Sequence, residues 1–284
     1  MCILQSPNIH SCKTLMNSTS ILSSTLLLSF LVISCSSVPL TNRKQLAFLP
    51  ESQLMSMSET SYAQVKSENK VLTDTEDAKM ITRVGQKMKV AVEAYLKEIG
   101  QEGMTSQYNW EFSLIDSDQV NAWAMPGGKV AFYTGILPIC ETEAGVAVVM
   151  GHEIAHVIAK HGNERMSQGM MQQFGALAFI KLIEDKPEQT KSMLQMAYGM
   201  GSNLAVSLPF SRLHESEADE MGLIFMAIAG YDPSEAAPFW NRMVQGGGQS
   251  PPEFLSTHPN PDNRAKKLKE MQPKAMEYYN KYNK

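Results

Sequence analysis

The chain has 284 residues, of which 43% are hydrophobic, so it is long enough to bury the core of one large domain or of two small ones. Its formal net charge is −4 at pH 7, and no basic stretch runs along the sequence. This charge balance argues against a nucleic acid as a partner.

Residues 1–34 have the composition of an export signal. Lys13 supplies a weak positive start, and the apolar stretch over 21–33 has the length of a signal core but is too short and too rich in serine for a membrane span. The stretch leads into Cys35 in a pattern that resembles a bacterial lipobox, and no Asp follows to resemble an inner-membrane retention signal. We therefore expect a lipoprotein signal peptide over 1–34, lipidation of Cys35, and a periplasmic protein anchored through it to the bacterial outer membrane. The alternative is an ordinary secretory signal.

The number of cysteines agrees with this prediction. Two of the four lie in the signal, Cys35 would carry the lipid, and only Cys140 remains in the folded part. The mature chain is therefore expected to have no internal disulfide.

Residues 35–50 contain few periodic apolar positions and are predicted to be a tether, followed by a single domain over 51–284. Helical patterns follow over 51–70 and 75–99, and in the second of them apolar residues recur every three or four positions. Both helices are expected to serve packing.

Strand patterns come next. Apolar and polar residues alternate over 108–114, and two short strands, 120–125 and 129–134, flank a Pro-Gly-Gly turn. These segments predict a small antiparallel sheet beside the following helix.

That helix, predicted over 143–162 with Thr142 as its cap, carries the main chemical motif of the chain. His152, Glu153 and His156 form the sequence H-E-x-x-H. The two histidines lie one turn apart on one face, so that both can bind one zinc ion, and Glu153 can take a proton from a zinc-bound water. The alternative is a buried helix with two incidental histidines.

A catalytic zinc ion needs a third protein ligand and one open position. Ala159 and Gly162 stand where the metzincin pattern requires Gly and His, so that subclass is excluded. His161 follows His156 by five residues and is expected to point off the ligand face.

A Glu on a second helix is the remaining solution. Glu215 and Asp219 lie one turn apart within 211–219, so both can face the metal. Glu215 would bind zinc, and Asp219 would accept a hydrogen bond from a ligand imidazole. Glu217 is the fallback ligand, and a solvated acidic face is the alternative interpretation.

A methionine- and glutamine-rich insert separates the two ligand-bearing helices. Helices are expected over 163–185 and 187–204. They could form a scaffold hairpin, a lid with hinges at Gly199 and Gly201, or a membrane contact, in that order of preference.

The last part of the chain adds a candidate beyond the ligand set. A helix begins at Asp232 and stops before the loop over 249–260, which holds His258 and precedes a lysine-rich helix over 262–279. A long loop that places a histidine after a complete set of metal ligands indicates a functional role.

Four motifs, in one order between about residue 70 and about residue 270, resemble those of a peptidase family. They are Asn121–Gly128 (NAWAMPGG), His152–His156 (HEIAH), Ser211–Asp219 (SRLHESEAD), and Thr257-His258-Pro259 with Arg264. The chain resembles the gluzincin family that includes the heat-shock protease HtpX, the CAAX prenyl endopeptidase and the mitochondrial protease Oma (family M forty-eight), and in particular its bacterial outer-membrane lipoprotein members.

The resemblance implies a mostly helical α+β gluzincin fold and a zinc endopeptidase with one Zn²⁺ per subunit, held by His152, His156 and Glu215 and served by Glu153 as the base. It implies quality control of misfolded or stalled envelope proteins, so unfolded envelope proteins or peptides are the expected substrates. Two alternatives remain: a chaperone-like lipoprotein whose zinc site stays shut, and a zinc hydrolase of non-peptide envelope material.

The resemblance also assigns roles around the zinc. It places Asn121 and Ala122 on the cleft edge, where an extended substrate can pair with free backbone, the alternative being a plain hairpin with Trp123 in the core. It places His258 near the zinc, where it can donate to the oxyanion or occupy the open position in a resting state. Arg264 can take the oxyanion role or orient the loop.

Overall fold

The computed structural model describes residues 35–184, 188, 190–191, 211–245, 252–258 and 263–284. The predicted signal peptide over 1–34, both candidate hinge glycines and most of the second predicted helix of the insert lie outside these residues.

The described strands form two sheets. They are β1 (Cys35–Ser37), β2 (Lys44–Leu46), β3 (Val71–Leu72), β4 (Glu111–Ile115), β5 (Ala122–Met125) and β6 (Lys129–Tyr133). Strands β1 and β2 pair with each other, and the larger sheet has the order β3-β4-β6-β5.

Helices make up most of the described residues, which confirms the predicted α+β, mostly helical fold class. They are α1 (Glu51–Glu68), α2 (Glu76–Glu98), α3 (Leu137–Cys140), α4 (Glu143–Ile158), α5 (His161–Ile183), α6 (Arg212–Ile228), α7 (Ala236–Gln245), α8 (Glu253–Thr257) and α9 (Arg264–Tyr282).

The larger sheet is mixed, so the expected purely antiparallel arrangement is wrong for one pair of strands. Strands β4 and β6 run parallel, whereas β3–β4 and β5–β6 are antiparallel. Strand β6 is buried over nearly its whole length, and β5 is only half-buried beyond Ala122. The apolar strand β6 therefore takes an interior position and leaves β5 at the edge of the sheet.

The residues expected to form a tether instead form the hairpin β1–β2, which packs against the domain. Val38 is fully buried. The Gln45 side chain donates a hydrogen bond to the Ala159 carbonyl at 2.9 Å, and the Phe48 amide donates to the Ser167 hydroxyl of α5 at 3.1 Å. Because its backbone and side chains are bonded to α5 and to the end of α4, this segment is part of the fold.

Helix α4 is the central element. It is buried along almost its whole length and packs against α2, α6 and the sheet, as expected for a helix that is apolar on all sides. Thr142 caps it as predicted, accepting a hydrogen bond from the Gly145 amide at 3.2 Å.

Helices α4 and α6 cross at a pair of glycines. A Cβ atom on Gly151 would lie 2.8 Å from the Gly222 carbonyl oxygen, and one on Gly222 would lie 2.8 Å from the His152 amide nitrogen. The two backbones therefore approach as closely as they do only because both positions lack a side chain. This contact brings the first turns of α6 beside the H-E-x-x-H motif.

Helix α4 ends at Ile158, earlier than the predicted end at Gly162. Lys160 adopts a left-handed conformation with φ 58° and ψ 29°, which a right-handed helix cannot continue through, and α5 starts at His161. The chain thus changes direction immediately after the motif.

No single helix among the described residues has the length and apolar composition to cross a bilayer; the bent pair 134–140 and 143–158, turning through 118°, passes that test on length and composition alone. Helix α5 of the insert exposes several apolar side chains, including Phe174, Leu177 and Leu182. Its role as scaffold, lid or membrane contact stays a prediction.

Cys140 is buried and is not in a disulfide.

Candidate metal centre

Three of the predicted ligands meet between α4 and α6. The Nε2 atoms of His152 and His156 lie 3.1 Å apart. A carboxylate oxygen of Glu215 lies 3.3 Å from the first of these nitrogens, and its other oxygen lies 3.4 Å from the second. All three side chains are buried, so their donor atoms face one another away from bulk solvent.

His258, at the end of α8, adds a fourth donor. Its Nδ1 atom lies 3.3 Å from His152 Nε2 and 3.2 Å from Glu215 Oε1. Helix α8 forms within the stretch expected to be a loop, and the part of that stretch beyond His258 is not described. The sequence analysis placed His258 near the zinc by family resemblance, and the structure brings it into the ligand cluster itself.

The donor-to-donor distances given above, 3.1–3.4 Å, are compatible with a zinc ion. A regular tetrahedron with edges of about 3.3 Å has its centre about 2.0 Å from each corner, which is the bond length of zinc to imidazole nitrogen and carboxylate oxygen. Three imidazoles and one carboxylate also form a donor set that zinc favours. These residues can therefore hold a metal ion.

Glu153 lies beside this cluster without belonging to it. Its Oε1 atom is 3.4 Å from His258 Nε2 and, among the described residues, accepts no hydrogen bond. The backbone of Ala124 in β5 hydrogen-bonds to the carboxyl group. Burial raises the pKa of Glu153 to about 7, against the opposing effect of His258. A carboxyl group with a pKa near neutrality is suited to accepting and returning a proton.

Two ligand candidates, His156 and Glu215, are held in the protonation states that metal binding needs. Burial lowers the pKa of His156 well below its usual value, which keeps this imidazole neutral. Burial alone would raise the pKa of Glu215, but the charge of His152 and hydrogen bonds with His152, His156 and His258 hold this pKa well below its usual range. For His152, burial lowers the pKa, but the charge of Glu215 and hydrogen bonds with Asp219 and Glu215 outweigh burial and raise it.

Asp219 lies behind His152, on the side away from the other ligand candidates. Its Oδ1 atom lies 3.0 Å from His152 Nδ1. Arg264, at the start of α9, donates to both oxygens of Asp219 at 2.8 and 2.6 Å and to Glu215 at 3.2 Å. Its guanidinium group also lies 3.3 Å from the centre of the Trp240 ring. Arg264 is therefore engaged behind the ligands, which favours an orienting role over the oxyanion role.

His161 supports His156, contrary to the expectation that it points off the ligand face. Its Nδ1 atom lies 2.9 Å from His156 Nδ1, and its Nε2 atom lies 3.1 Å from Glu217 Oε2. The expectation was wrong because it assumed that the helix continues, whereas the left-handed Lys160 turns His161 back toward the motif. Glu217 lies behind the histidines in this arrangement, so it is not a replacement for Glu215 as a ligand.

A charged cluster, missed by the sequence analysis, surrounds Glu217. Arg43 from the β1–β2 hairpin donates to Glu217 at 3.0 Å and to Glu164 of α5 at 2.8 Å. Thr41 donates to Glu217 at 2.7 Å, and His214 Nε2 lies 3.0 Å from Glu164. Arg43 is 121 residues from Glu164 and 174 residues from Glu217 along the chain, so no local pattern marks the cluster.

Strand β5 borders the centre, as the family resemblance implied. It is the last strand of its sheet and pairs only with β6 in the described part of the chain. Asn121 directly precedes it, and its carbonyl accepts a hydrogen bond from the Tyr133 amide at 3.1 Å. Ala122 is buried, whereas Trp123 is only half-buried, so Trp123 is not a full core residue. The Phe254 amide of α8 donates to the Val120 carbonyl at 3.1 Å, which joins the His258 segment to the start of this edge.

Residues 86–272 match the model of Peptidase family M48. The mitochondrial metalloendopeptidase OMA1 of Schizosaccharomyces pombe is 32% identical over 244 residues, which cover 84% of this chain and 66% of that protein. The mitochondrial metalloendopeptidase OMA1 of Homo sapiens is 30% identical over 248 residues, covering 84% and 46%. The β-barrel assembly-enhancing protease of Escherichia coli K12 is 29% identical over 161 residues, covering 55% and 33%.

These relatives are longer proteins, and the chain spans between 33% and 66% of their lengths. The family match nevertheless covers well over half of the 284 residues and includes the H-E-x-x-H helix, Glu215, His258 and Arg264. The chain therefore belongs to Peptidase family M48.

Proposed function

We propose that this protein is a zinc-dependent endopeptidase in which His152, His156 and Glu215 hold one zinc ion per chain. The observation that carries the proposal is the buried group of four donor residues, whose neighbouring donor atoms lie 3.1–3.4 Å apart, with the Glu153 carboxylate beside it. Membership of Peptidase family M48 and the metalloendopeptidases among the relatives support it.

Bound zinc would supply Lewis acidity, polarising a scissile carbonyl and acidifying water. The chain supplies the proton transfer. Glu153 takes a proton from the attacking water and delivers it to the leaving amine, a role suited to a buried carboxyl group with a pKa of about 7. Its Oε1 atom, which accepts no hydrogen bond among the described residues, is available for that proton.

Substrate is bound by main-chain pairing along the β5 edge, starting at Asn121 and Ala122. At rest the Ala122 amide donates to the Asn121 side-chain oxygen at 2.9 Å, and the substrate backbone would replace that acceptor. An exposed strand edge pairs with any extended peptide, because it recognises backbone amides and carbonyls rather than particular side chains. Such recognition suits unfolded protein chains, and it favours a peptidase over a hydrolase of non-peptide material.

His258 holds the enzyme in a resting form. Its Nδ1 atom is the fourth donor of the cluster. With zinc bound, this donor would fill the open position that a catalytic site needs for water. Displacement of the α8 segment, which is bonded to Val120 at the start of the substrate edge, would open that position. This closed arrangement also favours one second candidate: a latent protease that acts mainly as a chaperone-like envelope assembly factor.

The cellular role belongs to the same proposal. We infer that Cys35 is lipidated, that the protein is anchored to the outer membrane of a bacterium facing the periplasm, and that it degrades misfolded or stalled envelope proteins. The lipobox-like sequence supports the anchor, and the β-barrel assembly-enhancing protease among the relatives supports the envelope. Loss of acyl labelling and of membrane retention in a Cys35→Ser variant tests the anchor.

The activity is tested by comparing the purified protein with Glu153→Gln and with Glu93→Gln, a matched control on the exposed face of α2. Wild type and the control should cleave casein and bind one zinc ion per chain. Glu153→Gln should keep the zinc and lose activity about 10²-fold or more. Equal cleavage by Glu153→Gln, or a wild-type protein that binds no zinc, would overturn the proposal. Zinc-loaded wild type that cleaves nothing, but suppresses aggregation of an unfolded client as well as Glu153→Gln does, would establish the chaperone-like alternative.

A further inference from the structure

The hydrogen-bond chain behind His156 determines which nitrogen of that ring is available to a metal. A neutral imidazole has one N–H donor and one lone-pair acceptor. When nitrogens of two such rings are hydrogen-bonded to each other, one must donate and the other must accept. His156 Nδ1 and His161 Nδ1 are 2.9 Å apart and therefore form one donor and one acceptor.

Glu217 fixes the direction of this chain. Its carboxylate receives hydrogen bonds from Thr41 at 2.7 Å and from Arg43 at 3.0 Å, so it is surrounded by donors and acts as an acceptor. The facing atom, His161 Nε2, must then carry the proton at 3.1 Å. In a neutral ring, a proton on Nε2 leaves the lone pair on Nδ1, the atom that faces His156 Nδ1.

The consequence reaches the ligand. If His161 Nδ1 accepts, His156 Nδ1 donates, and the lone pair of His156 lies on Nε2, the atom that faces His152 and Glu215. A hydrogen-bonding partner on the far nitrogen is how proteins fix the tautomer and ring orientation of a metal-bound histidine.

Arg43 connects this chain to the amino-terminal hairpin. It bonds to Glu217 of α6 and Glu164 of α5, and its side chain is 21% exposed while both carboxylates are almost fully buried. A planar guanidinium that bonds to two carboxylates holds both in a fixed orientation.

We propose that Arg43 and His161 are positioning residues for the metal centre: acting through Glu217, they hold His156 in the tautomer and orientation that present Nε2 to zinc. The β1–β2 hairpin is thereby a support of the site, although it lies more than one hundred residues before the ligands it supports. The proposal rests on the proposed zinc site and adds residues to it.

The test measures zinc affinity of the full chain by competition with a chromophoric chelator, and reads the apoprotein's urea midpoint separately. His161→Phe, which removes the acceptor, should weaken zinc binding about 10- to 100-fold. His161→Gln, which can restore an acceptor oxygen, should recover most of that loss. Arg43→Ala should weaken binding about tenfold, and Arg43→Lys should recover part of it. Arg83→Ala is the matched control, because Arg83 pairs with Glu143 at the far end of α4 and should leave zinc affinity unchanged.

A purely structural role predicts a different result. If the cluster only stabilises packing, Arg43→Ala should lower the urea midpoint of the apoprotein while the folded protein binds zinc as tightly as wild type, and this result would overturn the proposal. A folding failure of His161→Phe does not affect the test, since Arg43→Ala and its partial rescue by Arg43→Lys decide it. Wild-type protein that binds no zinc would overturn the proposed function as well, which separates the two failures.

Discussion

The two histidines of the H-E-x-x-H motif are supported in different ways. His152 contacts a carboxylate directly, since Asp219 lies 3.0 Å from its Nδ1 atom. His156 reaches the carboxylate of Glu217 only through His161, by contacts of 2.9 and 3.1 Å. Each carboxylate is in turn bonded to an arginine, Arg264 on the first side and Arg43 on the second.

The difference concerns how many ligands each arginine controls. Arg264 is almost fully buried and bonds to the ligand Glu215 as well as to Asp219. Arg43 is partly exposed, and its ion pairs are with Glu164 and Glu217, neither of which is a ligand candidate in this arrangement. Around His152, Arg264 from the last helix forms the carboxy-terminal side of the site, which couples two ligands through one residue. Around His156, Arg43 from the β1–β2 hairpin forms the amino-terminal side, which supports one ligand through a longer chain of contacts.

The largest effect is expected for Arg264→Ala, which leaves Asp219 and Glu215 buried without their cation. Removing one partner of a buried ion pair costs about 3–5 kcal/mol. Arg43→Ala should cost less, because water can reach the position of its partly exposed side chain. Urea unfolding of the zinc-free variants measures both losses without a contribution from the metal. Equal losses for the two arginines would remove the distinction between the two sides.

The next largest effect is expected for Asp219→Asn, which keeps the shape of the side chain and removes its charge. Loss of a partner that hydrogen-bonds directly to a ligand imidazole lowers metal affinity by about 10- to 100-fold. Glu217→Gln should lower zinc affinity less, because His161 separates it from His156. Competition with a chelator at a fixed pH compares the two variants, and a larger loss for Glu217→Gln would contradict the order proposed here.

The carboxy-terminal side was the more predictable of the two from sequence. His152 and His156, like Glu215 and Asp219, are four residues apart, and helical geometry alone places such pairs on one face. That spacing gave three ligand candidates and one supporting residue in the positions where the structure has them. Capping residues and turn residues predicted the approximate positions of the helices and strands around these site residues.

The amino-terminal side was not predictable in this way, because one backbone conformation decides it. Only the left-handed Lys160 brings His161 back to His156, and a periodicity argument assumes that a helix continues. Arg43 lies in a segment with little apolar periodicity, and its two partners are far away in sequence. Likewise, the close approach of Gly151 and Gly222 depends on tertiary packing, which no spacing rule contains.

A smaller effect is expected at His258, which belongs to the carboxy-terminal side and differs from Arg264 in that it must move. If His258 occupies the water position at rest, His258→Ala should raise casein turnover per bound zinc by about fivefold, because a larger fraction of the enzyme is then competent. Zinc content measured on the same samples serves as the control. A fall of about 10²-fold would instead identify His258 as an oxyanion donor.

The smallest effect concerns Glu164, which shares Arg43 with Glu217. Burial alone would raise the pKa of Glu164, but hydrogen bonds with His214 and Arg43 outweigh it and lower the pKa to about 2 from 4.5. A carboxyl group with a depressed folded-state pKa stabilises the protein above pH 4.5, and this contribution is lost as the pH falls toward 2.

The neighbouring charged or titratable groups are Arg43, His214, His161 and Glu217. Because these groups are present in both proteins, comparing wild type with Glu164→Gln cancels most of their contribution to the pH dependence of stability. Glu217 still pairs with Arg43 in the variant. The stability difference between wild type and Glu164→Gln should therefore shrink by under about 1 kcal/mol between pH 6 and pH 4. A difference that grows on acidification would mean that Glu164 is not ionised in the folded protein.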